Sequence, residues 1–305
     1  MAAGAQARRL SVAVVGLGGV GGGAADSLAA AGRHDITACT RQSIARFTLE
    51  RAEGTVEAPL RLLAEPAQAK PVDWVLVCTK THQTAAAGPW LARLCTPATR
   101  VAVLQNGIDH TARVAPLAGG ATIVPVLVYF NGERLASDRV RIRHAGSFDA
   151  VVADDDPGRA FVDLFEGTPL RIIRSGDFAT LAWRKLLINA VANPITALTL
   201  QRQAVLRRSD VRDLCRGVLD EAVAAARAEG VKLAEDETAR TIATLENFSG
   251  ELGTSMYFDR LAGRRVEVEA LTGAIVAAGD RHGMAMPFNR ALLTLLRAIN
   301  DAISA

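Results

Sequence analysis

Residues 12–23 read VAVVGLGGVGGG, an apolar run followed by a segment in which six of eight residues are glycine. Glycine loses more backbone entropy on folding than any other residue, so this density indicates a turn with special geometry. The turn fits Gly-x-Gly-x-x-Gly between an apolar strand pattern and a helical pattern, a context typical of dinucleotide-binding turns. Gly19 stands where that pattern does not require glycine. We predict that the cofactor-binding residues include Gly16, Leu17, Gly18, Gly19, Val20 and Gly21.

The first part of the chain alternates short apolar runs with amphipathic segments. Continuous Val/Ile/Leu runs separated by helices predict a doubly wound parallel sheet, and hence a Rossmann-type α/β domain over residues 1–175. The predicted strands are Ser11–Val15, Ile36–Cys39, Trp74–Cys78, Val101–Leu104 and Ile123–Tyr129, with edge strands at Val140–Arg143, Ala150–Val152 and Leu170–Ile173. The predicted helices are Gly19–Ala31, Ser43–Ala52, Gln83–Leu94 and Gly158–Glu166.

Residues 176–305 show helical spacing of apolar residues and few strand signals, which predicts an all-α domain. We place the boundary near Ser175–Gly176. A chain of 305 residues is long for one core and fits two domains. The predicted helices are Phe178–Leu200, Asp210–Ala228, Asp236–Glu246, Arg265–His282 and Phe288–Ile303.

Composition narrows the class of protein. A net charge of +3 without clustered basic residues argues against nucleic-acid or membrane partners. The four cysteines show no spacing suited to zinc, so we expect no metal. The apolar run at 12–15 is cut by glycines after four residues, which argues against a signal peptide, and we expect a cytoplasmic protein.

The residues after the second and third predicted strands indicate which dinucleotide binds. An NAD site places Asp or Glu at the end of the second strand to accept the ribose hydroxyls. Here that strand is followed by Thr40 and Arg41, and a guanidinium favours the extra 2′-phosphate of NADP(H). Lys80 would add positive charge near the same edge.

Two further segments carry polar groups suited to chemistry. Asn106 follows a predicted strand, and the carboxyl ends of parallel strands line the ligand crevice. Lys185, Asn189 and Asn193 share one face of an otherwise apolar helix. They form either a satisfied structural network or a polar stripe facing a cleft, with Lys185 as proton donor. Pro194 disfavours helix geometry at Asn193, and we expect a kink that exposes its side chain.

Taken in order, these motifs resemble the ketopantoate reductases over nearly the full chain. No single motif is specific, but six in the right order are. They are the glycine turn, Arg41, Lys80, Gln105-Asn106-Gly107, the stretch Trp183–Pro194, and Thr254-Ser255-Met256 followed by Asp259 and Glu267.

The resemblance implies NADPH-dependent reduction of the C2 ketone of ketopantoate to pantoate, for pantothenate and coenzyme A synthesis. It implies an active site in the cleft between a Rossmann-type domain and a helical domain. By the same resemblance Lys185 is the proton donor, Asn106 touches cofactor and substrate, and Glu267 contacts the cofactor. The implied substrate-binding residues are Asn106, Asn189, Asn193 and Ser255.

Several alternatives stay open. Family members often place a further asparagine on the substrate, where this chain has Gln201 and Gln203. A reductase of another branched 2-oxo acid would share these motifs, and β-hydroxyacid dehydrogenases combine similar domains. A non-catalytic NADP(H)-sensing protein is a third alternative. The apolar helical domain is typical of one that forms a homodimer.

Overall fold

Strands dominate the first half of the computed structural model, which describes residues 8–41, 44–51, 54–136, 138–143 and 146–304. In chain order the strands are β1 Ser11–Val15, β2 Asp35–Cys39, β3 Thr48–Arg51, β4 Gly54–Glu57, β5 Arg61–Leu63, β6 Trp74–Val77, β7 Arg100–Val103, β8 Thr122–Pro125, β9 Leu127–Val128, β10 Asn131–Ala136, β11 Arg139–Arg143, β12 Ala150–Ala153 and β13 Ile172–Ser175.

Ten α-helices lie within the described ranges: α1 Gly19–Ala31, α2 Gly88–Leu94, α3 His110–Val114, α4 Asp156–Leu164, α5 Phe178–Thr199, α6 Ser209–Ala228, α7 Glu237–Asn247, α8 Ser255–Leu261, α9 Ala274–Arg281 and α10 Pro287–Ser304. A π-helical turn, Glu269–Gly273, precedes α9. None of these helices is long and apolar enough to cross a membrane.

The main sheet has six parallel strands in the order β5-β2-β1-β6-β7-β8. Counted along the chain within this sheet, the order is 3-2-1-4-5-6, that of doubly wound dinucleotide-binding folds. The predicted Rossmann-type sheet is therefore confirmed. Because every strand runs the same way, the residues that follow Val15, Cys39, Val77 and Val103 all lie at one edge.

Helix α1 is buried on two sides, against β1 and β2 and against a second sheet with the order β10-β11-β3-β4. Glycine residues in α1 and β10 allow the helix and the second sheet to approach closely. A Cβ added at Gly19 would lie 1.8 Å from the carbonyl oxygen of Gly132 in β10. Side chains also lie close to α1, with Phe47, just before β3, at Gly22 and Ile142 of β11 at Gly23. Contrary to the sequence analysis, position 19 requires glycine, because any side chain would collide with a backbone.

The predicted helix Ser43–Ala52 is wrong, because Thr48–Arg51 forms a strand paired with Gly54–Glu57. Its two end residues lie outside the described ranges. Phe47 and Leu49 are both buried while Thr48 and Glu50 are only partly so. That alternation has the period of a strand, and the second sheet buries its apolar side.

Three other N-terminal segments differ from prediction. The run Ile123–Tyr129 splits, because β8 stays in the main sheet while Leu127–Val128 pairs antiparallel with β12 in a three-stranded sheet with β13. The helix expected at Gln83–Leu94 is α-helical only from Gly88, after two 3₁₀ turns. The last strand begins two residues later than predicted, at Ile172.

The second half is helical, as predicted. Its apolar core includes Leu187 and Val191 of α5, Val218 of α6, Ile275 of α9 and Leu296 of α10. The chain divides into unit 1, Met1–Asn106 with His110–Phe178, and unit 2, Gly107–Asp109 with Ala179–Ala305.

The helix expected at Arg265–His282 starts later, with the π-helical turn at Glu269. The side chain of Asn300 accepts a hydrogen bond from the backbone N–H of Val266 at 2.8 Å and donates one to its carbonyl oxygen at 3.0 Å. This side chain occupies the backbone groups that a helix would use at that position.

Candidate active site

The glycine turn of unit 1 has a different requirement at each of its three pattern positions. Gly16 has φ +101°, a backbone conformation that other residues rarely adopt. At Gly18 an added Cβ would meet no atom within 4 Å, so the space beside the backbone is open. At Gly21 an added Cβ would lie 1.9 Å from the Gly16 carbonyl oxygen. The turn therefore fits a pyrophosphate, with open backbone at the second glycine and close packing at the third.

Three residues predicted to bind the cofactor follow strands that end at the same edge of the main sheet. Arg41 is exposed and lies two residues beyond β2. Lys80 lies three residues beyond β6, and Asn106 three residues beyond β7, and both are partly buried. The parallel register brings these positions to the edge where the glycine turn begins. This arrangement suits a ligand with several anionic groups.

In unit 2, Lys185 lies on α5 among buried neighbours, including Leu186, and is itself partly buried. Burial lowers the pKa of Lys185 from 10.5 to about 8, because an ammonium loses hydration there. The carboxylate of Glu267, 5% exposed, acts in the opposite direction and raises that pKa. A lysine with a pKa near 8 holds its proton at neutral pH and releases it readily, which suits a general acid.

The side chains of the two asparagines on the same helix face have no hydrogen-bond partner among the described residues. No side-chain hydrogen bond joins Asn189 or Asn193 to any residue in the described part of the chain, although Asn193 is only 4% exposed. Buried amides are normally hydrogen-bonded, so these two do not form the satisfied structural network considered above. The expected exposure of Asn193 is wrong, because α5 continues through Pro194 to Thr199 with that side chain buried.

The start of α8 separates the roles of two neighbouring hydroxyls. The Thr254 hydroxyl accepts a hydrogen bond from the Tyr257 N–H at 3.1 Å, which caps the helix, and it lies 2.7 Å from the hydroxyl of Thr196 on α5. Ser255 is the first residue of α8 and is exposed. Only Ser255 therefore has a hydroxyl available to a ligand.

The segment after α5 contains the two glutamines that stand in place of an asparagine. Gln201 is exposed. In Gln203 the side-chain oxygen is buried and accepts no hydrogen bond from the described residues. Gln203 lies beside the approach to α8, since its N–H donates to the carbonyl oxygen of Leu252 at 3.0 Å. Because a buried acceptor normally has a hydrogen-bond donor, Gln203 is the stronger of the two candidates for a substrate contact.

Sequence reasoning missed a cluster around Gln105. This side chain is 4% exposed and interacts with Thr79, Thr84 and Arg113. The Gln-Asn-Gly motif drew attention to Asn106, whereas Arg113 lies in a short helix whose sequence carries no motif. Only the folded structure shows that Arg113 contacts Gln105 and Asn106.

Family models match both halves of the chain. Residues 12–156 match the model described as ketopantoate reductase PanE/ApbA, and residues 177–300 match the model of the ketopantoate reductase PanE/ApbA C terminus. A 2-dehydropantoate 2-reductase from Caulobacter vibrioides is 37% identical over 288 residues, which cover 94% of this chain and 98% of that protein.

Solved structures agree. A PanE/ApbA family ketopantoate reductase from Ralstonia eutropha JMP134 superposes with a TM-score of 0.87 at 28% identity, covering 97% of this chain and 100% of that one. A dimeric ketopantoate reductase from Staphylococcus aureus gives 0.85 at 26% identity, covering 96% and 100%. The chain belongs to the ketopantoate reductase family.

Proposed function

We propose that this protein is an NADPH-dependent oxidoreductase that reduces the 2-keto group of 2-dehydropantoate to pantoate, a reaction of pantothenate and coenzyme A biosynthesis. The observation that carries the proposal is Lys185, partly buried with a pKa of about 8 and influenced by the carboxylate of Glu267. Family membership and the 2-dehydropantoate 2-reductase activity of the Caulobacter vibrioides relative support the same reaction.

The residues of unit 1 fit a nicotinamide dinucleotide. The residues Gly16–Gly21 would hold the pyrophosphate, and Arg41 with Lys80 would bind the 2′-phosphate that distinguishes NADP(H) from NAD(H). Asn106 and Glu267 would contact the nicotinamide end. When bound, the reduced nucleotide supplies the hydride.

Residues of the chain would stabilise the negative charge that forms on the substrate and supply the proton that neutralises it. As hydride reaches C2, negative charge develops on the carbonyl oxygen, and the Lys185 ammonium stabilises it. One N–H bond of Nζ then breaks, the alkoxide takes that proton, and the neutral amine regains one from water. Asn189, Asn193 and Ser255 would orient the substrate. The two asparagine amides, which have no side-chain partner among the described residues, and the exposed hydroxyl suit a carboxylate and a hydroxyl group.

We also propose that residues 1–175 form the NADP-binding domain and residues 176–305 the domain that binds substrate. We propose a homodimer formed through the helical domain, which the dimeric relative from Staphylococcus aureus supports.

The activity is tested by following NADPH oxidation with 2-dehydropantoate beside a panel of other branched 2-oxo acids. The expected result is preferred turnover of 2-dehydropantoate and a large loss in Lys185→Ala. The exposed Lys232, changed to alanine, serves as the matched control and should keep full activity. Absence of turnover in the wild type would overturn the proposed substrate. Full activity of Lys185→Ala would overturn the proposed acid.

The choice of cofactor is tested with Arg41→Asp. This change should lower the ratio of kcat/KM with NADPH to that with NADH, because a carboxylate repels the 2′-phosphate and accepts ribose hydroxyls. Arg93, an exposed residue of α2, provides the control substitution Arg93→Asp. An unchanged ratio in Arg41→Asp would contradict the phosphate role.

A further inference from the structure

Gln105 and the backbone of Asn106 are held by two side chains from α3. The His110 ring nitrogen Nε2 lies 2.8 Å from the carbonyl oxygen of Gln105, and since a carbonyl only accepts, Nε2 donates. Arg113 donates from Nε to the side-chain oxygen of Gln105 at 3.0 Å and from Nη2 to the carbonyl oxygen of Asn106 at 3.1 Å. The guanidinium thus spans two consecutive residues at the exit of β7.

The other end of the Gln105 amide is tied to the neighbouring strand. Its Nε2 lies 3.0 Å from both the carbonyl oxygen and the hydroxyl of Thr79, and 2.9 Å from the hydroxyl of Thr84. Gln105 and Thr84 are almost completely buried. Arg113 therefore completes a buried polar network that joins the carboxyl ends of β6 and β7.

The three residues after Asn106 are held separately, within unit 2. Gly107 has φ +94°, and a Cβ there would lie 2.5 Å from the carbonyl oxygen of Ala270 in the π-helical turn. Ile108 packs against the apolar core of unit 2. Asp109 interacts electrostatically with Arg281, whose pKa is raised chiefly by its hydrogen bond to Glu229 and further by Asp109. The chain is consequently fixed on the C-terminal side of Asn106 as well.

We propose that Arg113 is a positioning residue for Asn106: by its contacts with the Gln105 amide and the Asn106 carbonyl, it fixes the backbone that presents the Asn106 side chain to nucleotide and substrate. This inference rests on the proposed function, in which Asn106 touches both. A guanidinium suits the task because it stays charged and presents several donors in one plane, whereas lysine is a single point charge.

The test is a double-mutant cycle with Arg113→Ala, Asn106→Ala and the double variant. The measurements are kcat and KM for 2-dehydropantoate, the Kd for NADPH from fluorescence, and Tm. Removing a hydrogen-bonding charge should lower kcat/KM about 10- to 100-fold in Arg113→Ala. If Arg113 acts through Asn106, the same change in the Asn106→Ala background should cost less than about threefold. Arg93→Ala is the control and should change nothing.

The outcomes separate the two claims. Equal losses from Arg113→Ala in both backgrounds, or a Tm decrease large enough to explain the loss, would overturn the positioning role. Partial recovery of kcat/KM in Arg113→Lys, with one of the two contacts restored, would support the positioning role. Full recovery would show that simultaneous contact of a guanidinium with both residues is not needed. Wild-type protein that binds NADPH but does not reduce 2-dehydropantoate would refute the proposed function alone. In that case non-additive effects on the Kd for NADPH would still support the positioning role, and additive effects would overturn it.

Discussion

The pKa of Lys185 leads to a quantitative expectation for the pH dependence of catalysis. If its protonated form is the general acid, activity follows the fraction of Lys185 that carries a proton. With a pKa of about 8, that fraction is about nine tenths at pH 7, about half at pH 8 and about one tenth at pH 9. An ordinary lysine, with a pKa of 10.5, would remain almost fully protonated at pH 9. Activity should therefore fall roughly tenfold from pH 7 to pH 9.

The assay is kcat/KM for 2-dehydropantoate between pH 6 and 10, because this parameter reports the ionisation of the free enzyme. NADPH deuterated at the transferred position shows whether hydride transfer limits the rate throughout. In Lys185→Arg the guanidinium stays charged, so the alkaline decrease should vanish while the rate is much lower. In Glu267→Gln the loss of a nearby negative charge should move the decrease to lower pH.

Two results would refute this reasoning. A profile that stays flat to pH 9.5 would show that no group with a pKa near 8 must be protonated. An alkaline decrease that persists unchanged in Lys185→Arg would assign the titration to another group.

Three other expectations follow from the described contacts. Gly18→Ala should cost less than about 1 kcal/mol of unfolding free energy but weaken NADPH binding about tenfold or more. Gly21→Ala should instead destabilise the fold by about 1–3 kcal/mol or more. Thermal unfolding and NADPH titration measure the two effects, and equal effects of both variants would contradict the different roles assigned to Gly18 and Gly21. Gln203→Leu should raise KM for 2-dehydropantoate about tenfold. Its Tm should be unchanged or higher, since the buried side-chain oxygen of Gln203 has no partner within the described ranges. An unchanged KM would exclude a contact between Gln203 and the substrate. Glu237→Gln should lower the unfolding free energy by about 1–3 kcal/mol, because Glu237 accepts two hydrogen bonds from Arg184, at 2.8 and 3.1 Å. Chemical denaturation measures this loss, and Glu235→Gln, at an exposed residue, is the control. An unchanged unfolding free energy in Glu237→Gln would show that the pair contributes nothing to stability.

The sequence predicted five of the six strands of the main sheet, because local and global signals agree there, but it missed the three-residue edge strand β5, Arg61–Leu63. Most predicted strands are continuous apolar runs, and glycines separate the first of them from α1, whose bounds match the prediction. Prediction failed at β3, where the alternation of Phe47 and Leu49 was too short to distinguish from a helical pattern. It also failed at Val266, whose backbone is bonded by Asn300, a residue 34 positions away.

The candidate site divides in a similar way. Motif spacing identified Lys185, Asn106 and the glycine turn, because those residue types at those intervals are rare without a reason. The sequence did not show what surrounds them. The need for glycine at position 19 depends on Gly132, and the anchoring of Asn106 depends on Arg113. Both are contacts made by the folded chain, and neither has a local pattern.

The burial of α1 between two sheets also constrains how the protein is made. Strand β10 begins 100 residues after α1 ends, and β11 ends only at Arg143. Until that point has left the ribosome, β10 and β11 cannot cover their part of a helix rich in alanine and glycine. Contacts this distant along the chain form slowly, and exposed apolar surface in the meantime favours aggregation or capture by a chaperone. The nascent chain therefore cannot complete the surroundings of its glycine turn until nearly half of the protein has been synthesised.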